Sequence, residues 1–305
     1  MISPSLNSLA QQFLNNLNRI ADRMDQAQRR ISTGVRLAQV SDDPDQVSNL
    51  LSARSSLSAA HQIQSNLGRV KAEVDAGEQS LQTAVQLLDR ARTLGIQGAT
   101  SGVDASVRSL LANEVGSVIE QIAGLAATQV EGRFIFSGDA DSVTPYTVNL
   151  ALTPPLNPIS AYLGSAATRI VQHPNGTTFL AARSAQEIFD AATPSDNVFQ
   201  ALVVLRQALL DNDEPAIFNA VEALRQPAVY LNDQLAFYGT TQNRIAEADQ
   251  FGQKLVVQLQ GQIARIEDAD LTEAILELNQ SQTQQQAALS ARAKVPRQTL
   301  FDYLG

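Results

Sequence analysis

Cysteine and tryptophan are both absent from the 305-residue chain. Without a thiol there are no disulfides, no thiolate metal ligands and no cysteine nucleophile. Histidine occurs only at His61 and His173, the first in a helical stretch and the second beside Pro174 in a turn. Zinc or Ser-His-Asp chemistry would have to rest on one lone imidazole. Lysine is confined to Lys71, Lys254 and Lys294, which leaves no lysine-rich tract for an anionic membrane, and arginine is scattered. A formal charge of −9 and a pI near 4.8 argue against general nucleic-acid binding. No run of about 18 apolar residues exists, so nothing reads as a membrane span. The opening Met1-Ile2-Ser3-Pro4-Ser5-Leu6 has neither a basic leader nor a continuous apolar core, so a cleaved signal peptide is not expected.

Aromatics are scarce as well, at 5% of residues against 44% hydrophobic overall. Apolar content drawn from Ala, Leu and Val suits long helices packed side by side more than a sandwich of short strands. Catalytic constellations are absent. Asp42-Asp43-Asp45 and Glu267-Asp268-Asp270 lack the spacing of a calcium loop and read as helix caps. No glycine-rich phosphate loop follows a strand, and Asn175-Gly176-Thr177, formally a glycosylation sequon, reads as a turn. The expectation is a non-enzymatic chain with no catalytic residue, no cofactor and no metal.

What is present is apolar periodicity at both ends. From the N-terminus the seam runs Ile2, Leu6, Leu9, Phe13, Leu17, Ile20, Met24, Ala27, Ile31, and the C-terminus answers with Leu271, Ile275, Leu278 and Leu289. A 3-4 spacing of this kind marks a helix that needs a partner helix. Nearly everything else in both stretches is polar, so neither can bury its stripe alone. The expectation is that both termini are disordered or frayed in the monomer and become helical when they pack together within an assembly. The alternative is a stable bundle of all helices within one molecule.

Between the ends the pattern divides the chain into five segments. Residues 1–40 are an N-terminal assembly helix, stopped by Gly34, and a connector. Residues 41–138 are a core helical hairpin plus a short β-hairpin. Their first helix starts at Asp43-Pro44 and carries a seam of Leu67, Val70, Val74, Gly77, Leu81, Ala84, Leu88 and Ala91. The second, from about Asp104, points Val107, Leu111, Val115, Val118, Ile122 and Leu125 inward, and Gly132-Arg133-Phe134-Ile135-Phe136-Ser137-Gly138 reads as a short strand. Residues 139–193, rich in proline, are a small β-rich outer insert with a hairpin around His173-Pro174-Asn175-Gly176. Residues 194–268 are returning core helices seamed by Leu231, Leu235, Tyr238, Ile245, Leu255, Leu259 and Ile266, with Pro227 expected to bend or interrupt them. Residues 269–305 are a C-terminal assembly helix. The fold class is therefore mainly α: a long antiparallel helical bundle with a small β-rich insert and coiled-coil-forming terminal helices.

These motifs resemble the flagellin and hook-associated protein superfamily, and within it the hook–filament junction branch. The resemblance rests on Asn18-Arg19-Ile20, Ile31-Ser32-Thr33-Gly34 with Arg36, and Ser41-Asp42-Asp43-Pro44 near one end. At the other it rests on Ala264-Arg265-Ile266-Glu267-Asp268-Ala269-Asp270-Leu271 and Thr299-Leu300-Phe301-Asp302-Tyr303-Leu304, with the Gly132–Gly138 run, Gly239 and Asn243-Arg244 between. It implies a structural adaptor of the bacterial flagellum that joins hook to filament, is exported unfolded through the type III channel without a cleaved signal, and works outside the cell. It also implies partners: copies of itself, a neighbouring hook-associated protein on the hook side, flagellin on the filament side and an export chaperone, with no nucleic acid and no membrane. The assembly contacts it implies are Leu6, Leu9, Phe13, Leu17, Ile20, Met24, Leu271, Ile275, Leu278, Leu300 and Tyr303. Pro296 falls where the last helix should continue, and the register of Leu300 and Tyr303 depends on it. Two alternatives remain, a short flagellin that builds the filament and a cytosolic coiled-coil scaffold. A hydrolase or binding protein acting through the insert would need a convergent polar pocket, for which the sequence offers no candidate.

Overall fold

A computed structural model describes residues 4–37, 43–152 and 156–293. The chain is mainly α. Helices α1 (Pro4–Thr33), α2 (Pro44–Gly98) and α3 (Ala105–Ala126) precede two short hairpins, β1 (Gln129–Val130) with β2 (Arg133–Phe134) and β3 (Ile170–Gln172) with β4 (Thr178–Leu180). Helices α4 (Ala185–Phe189), α5 (Val198–Leu210), α6 (Glu214–Ala223), α7 (Arg225–Glu267) and α8 (Leu271–Ala293) follow. Two compact units result, one from residues 1–59 with 255–305 and one from residues 60–254.

The unit at 60–254 is organised by the seam of α2. Leu67, Val74, Leu81, Ala84, Leu88 and Ala91 are all buried, and Val70 is half-buried. Gly77 lets Tyr238 of α7 approach, since a Cβ there would lie 2.6 Å from the tyrosine ring. Helix α3 returns antiparallel to α2, with Arg90 3.3 Å from Glu114 at one level and the Arg108 side chain bonded to the Gly98 carbonyl at 2.8 Å at another. Val107 is not inward but 44% exposed. The buried position is taken by Arg108, whose guanidinium donates to the Gly98 carbonyl at the end of α2, to Asn212 Oδ1 and to the Glu214 carboxylate, tying the two turns together.

Pro227 does not bend a helix. A turn at Leu224 separates α6 from α7, and Pro227 occupies the first turn of α7, where its missing N–H would have had no intrahelical acceptor. Along α7, Leu231, Tyr238, Ile245 and Leu259 are buried. Within the Gly132–Gly138 run only Arg133 and Phe134 are extended as a strand. Ile135 and Phe136 turn inward instead, and Phe136 meets Phe189 and Tyr238 edge-on.

The segment at 139–193 carries the β3–β4 hairpin, in the register Val171 opposite Phe179, and one isolated bridge, Val148 to Ile159. Helix α4 closes the segment, and its other described residues are loop tied down by hydrogen bonds. The Tyr162 hydroxyl donates to the Phe136 carbonyl at 2.9 Å, Ser165 N–H to Ser137, and Ala185 N–H to Phe136. Arg169 pairs with Glu73 of α2 and with Asp141, joining hairpin, helix and loop. His173 accepts a hydrogen bond from Asn175 N–H on Nδ1 and stacks on Phe251, so the hairpin turn is docked on α7.

Burial pushes the Tyr162 phenol up to about 12, with Glu187 adding to the effect. It raises Tyr146, with Asp190 and Tyr162 adding, and it raises Tyr238 against the opposing pull of Arg183. A free phenol titrates near 10, so these groups keep their protons in the fold at pH values where the unfolded chain loses them. The stability they contribute is fully present below about pH 10 and is lost as pH climbs towards the folded values. Alkaline titration at 295 nm should show these tyrosines ionising together with the loss of helical ellipticity. Smooth ionisation near pH 10 with helices intact would contradict this.

Candidate assembly interface

The terminal segments meet inside one chain. Helix α1 stops where Gly34 takes φ +70°, its N–H closing on the Arg30 carbonyl at 2.9 Å. Helix α7 stops at Glu267, and Asp270 caps α8 by accepting from the N–H groups of Thr272 and Glu273 at 2.8 and 3.1 Å. The two connectors are joined in antiparallel fashion: Val35 bridges Asp268, Arg36 N–H donates to Glu267 at 2.6 Å, and Ala269 N–H donates to Gly34 at 2.9 Å. The Arg36 guanidinium also donates to the Ile266 carbonyl and lies 3.5 Å from Asp43, while Arg54 reaches Glu267 at 2.7 Å. Asp43 in turn caps α2 through Gln46 N–H. The backbone clip fixes where α1 ends and α8 begins, and so fixes their register.

From the clip, α1 and α8 run antiparallel. Arg30 lies 3.2 Å from Glu277 near the clip, and the Arg292 guanidinium stands over the Phe13 ring at 5.6 Å near the far end. The expectation that the ends are homeless within their own molecule is therefore corrected: each supplies the other with a partner. The pairing is shallow. Ala27, Ala274 and Ser281 are closed off from solvent, and Phe13, Leu17, Ile20, Met24, Ile31 and Leu278 are half-buried around them. Small residues at the centre let the backbones approach, but two helices alone cannot cover a stripe as wide as the one they carry. Leu14 stays 56% exposed, Leu271 48%, Ile275 49%, Leu276 58% and Leu289 52%.

Among the interface residues expected from sequence, Phe13, Leu17, Ile20, Met24 and Leu278 thus lie along the pair, and Leu271 and Ile275 lie on its open flank. The side chains of Leu6 and Leu9, together with Leu300, Tyr303 and Pro296, are outside the described residues. Sequence reasoning missed Ala274 and Ser281, although their 3-4 spacing with Leu278 was there to find. It also missed that Arg36 and Arg54 reach across to the other end of the chain. Among the described residues no three His, Asp or Glu side chains gather as a metal site, and no helix is long and apolar enough to cross a membrane.

Two family models match the chain: the bacterial flagellin N-terminal helical region over residues 5–141 and the bacterial flagellin C-terminal helical region over residues 221–304. Flagellin D of Rhizobium meliloti (strain 1021) is 28% identical over 151 residues, which are 48% of this chain and 36% of that protein, so the match spans about a third of the relative's length. Among solved structures, a protein of Vibrio parahaemolyticus proposed to be flagellar hook-associated superposes with a TM-score of 0.63 at 21% identity, covering 74% of this chain and all of that one. Flagellar hook-associated protein 3 of Legionella pneumophila superposes with a TM-score of 0.60 at 11% identity, covering 70% and 98%. At such identities the structural likeness is one of fold.

Proposed function

We propose, from the premise that this chain belongs to the bacterial flagellin family, that it is a structural adaptor subunit of the flagellum joining hook to filament. The observation that carries the reading is the α1–α8 pair, which is held in register by a clip and still leaves Leu14, Leu271, Ile275, Leu276 and Leu289 uncovered. A surface of that kind is completed by neighbouring subunits. In this reading the segments at 1–40 and 269–305 contact other copies, the insert at 139–193 points outward, and the work is mechanical rather than catalytic. The partners are copies of the chain itself, a hook-associated protein on one side, flagellin on the other, and a chaperone before export to the outside of the cell.

The junction role is favoured over the filament role by extent of likeness. The hook-associated structures are matched over 98 to 100% of their length, at TM-scores of 0.60 to 0.63. Deleting the gene should leave hooks without attached filaments. An antibody to the chain should label one narrow band at the base of each filament. Labelling along the whole filament would favour a filament subunit, and normal filaments in the deletion strain would reject both.

A further inference from the structure

We propose that the free edge of β3 is a strand-addition site, which takes an extended peptide segment without net charge from a partner protein into the cleft between β3 and α2. Strand pairing fixes which backbone groups are free. Ala181 N–H donates to the Arg169 carbonyl and His173 N–H to the Thr177 carbonyl, so Arg169, Val171 and His173 turn their backbone polar groups towards β4. Ile170 and Gln172 turn theirs the other way, and these take no hydrogen bond among the described residues. That edge borders a cleft of about 540 Å³. One wall is the consecutive run 168–172, and the other is Ile63, Asn66, Val70 and Glu73, a single face of α2. Consecutive strand residues line a cleft with their edge, since a sheet face would offer only every second one. Strand β4, paired on the opposite side, does not reach it.

Both ends of the cleft are held. At one, Arg169 pairs with Glu73 and with Asp141. At the other, the hairpin turn closes on α2 and α7, where a Cβ on Gly252 would lie 3.1 Å from Gln64 and 3.4 Å from Pro174. From Ile63 to Glu73 the helix rises about 15 Å, the span of four to five extended residues. The free groups of Ile170 and Gln172 recur every ~6.6 Å, a repeat that another strand matches. Natural sheet edges are blunted by lysine, proline or a covering loop, and none of these guards Ile170 and Gln172. Ile170 and Leu180 stand directly opposite each other at 65% and 50% exposure, so an added strand extends that pair with an apolar residue of its own. Charge sets the last requirement. Arg69, Arg133 and Arg169 are matched around the cleft by Glu73, Asp139 and Asp141, so it is locally neutral in a chain of −9 and favours neither sign.

The test is a phage-displayed library of random octapeptides, panned against the full chain and counter-selected on the full chain carrying Asn66→Trp, which fills the cleft from α2 without touching β3. Should that variant not fold, Gln172→Pro takes its place, since it removes an edge N–H and leaves the pairing with β4 intact. The expected result is enrichment of segments that alternate apolar and polar residues and carry no net charge. A synthetic enriched peptide should slow hydrogen exchange at the Ile170 and Gln172 amides and leave those of Thr178 and Leu180 unchanged. Gln172→Pro, or N-methylation of the peptide's pairing amides, should weaken binding about 10-fold or more, whereas Thr178→Pro on the other edge should not. No enrichment over the counter-selected chain overturns the proposal, and so does enrichment of charged segments alone. Protection at Thr178 and Leu180 instead would assign the site to β4 and overturn it. Protection of Ile170 and Gln172 that appears without peptide, as the chain's own concentration rises, would make the occupant a second copy and overturn it too.

Discussion

Ala274→Glu should unzip α1 from α8 and abolish assembly, while the unit at 60–254 keeps its thermal transition. Ala274 is 1% exposed in the first turn of α8, beside the clip, and Ala27 on the facing helix is fully closed off. A carboxylate there is shut off from solvent, and the Arg30 guanidinium across the pair is already matched by Glu277. Burying an unpaired charge costs several kcal/mol, so a loss of about 3 kcal/mol or more is expected, which a shallow two-helix contact cannot absorb. Helical ellipticity should fall, and limited proteolysis should begin in residues 4–33 and 271–293. Leu276→Glu separates the two roles of these helices. Leu276 is 58% exposed, so the pair should stay formed while polymerisation is lost. If Ala274→Glu instead removed the transition of the 60–254 unit, the two units would fold as one and the division between core and assembly elements would fail.

Gly138→Val should cost the 60–254 unit about 3 kcal/mol or more. Gly138 takes φ +62°, a conformation that β-branched residues almost never adopt. A Cβ there would lie 2.2 Å from the Ser165 carbonyl oxygen and 2.5 Å from that of Ala167, both backbone atoms with no freedom to swing aside. The loop would have to leave. With it would go the Ser165 N–H bond to Ser137 and the Tyr162 bond to Phe136, which hold the segment against the aromatic cluster. For a unit of this size the melting temperature should fall by about 6–12 °C. Gly132 is the control: it too has positive φ, at +77°, but no atom lies within 4 Å of its would-be Cβ. Gly132→Ala should lose only the backbone preference, about 1 kcal/mol. Equal losses at both positions would show that the close approach of the loop does not matter.

How much of this was legible depended on where the information lay. The seam of α2 was readable residue by residue, because a helix with one buried face writes that face into its period. The starts of α2 and α8 were readable too, since Asp43-Pro44 and Asp270 do locally what caps do anywhere. Val107 failed because the buried face at that end is set by Arg108, and a guanidinium satisfying distant carbonyls leaves no apolar signature. Pro227 failed because its effect depends on its distance from the helix start, which an ill-marked turn at Leu224 concealed. At the interface, the stripes of α1 and α8 announced that each needs a partner but not which partner. That was decided by the clip between Gly34–Arg36 and Ile266–Ala269, a set of backbone hydrogen bonds that side-chain periodicity does not encode.

Hydrogen exchange compared between monomer and assembled material would test the central claim most directly. In the monomer, amides of 8–33 and 271–293 should exchange more slowly than an unfolded chain yet faster than the buried helices of 60–254. On assembly those two stretches should slow by a further ~100-fold or more, equivalent to about 3 kcal/mol. Terminal helices that are as protected in the monomer as in the assembly would contradict the account, because their exposed apolar side chains would then form a surface that nothing covers.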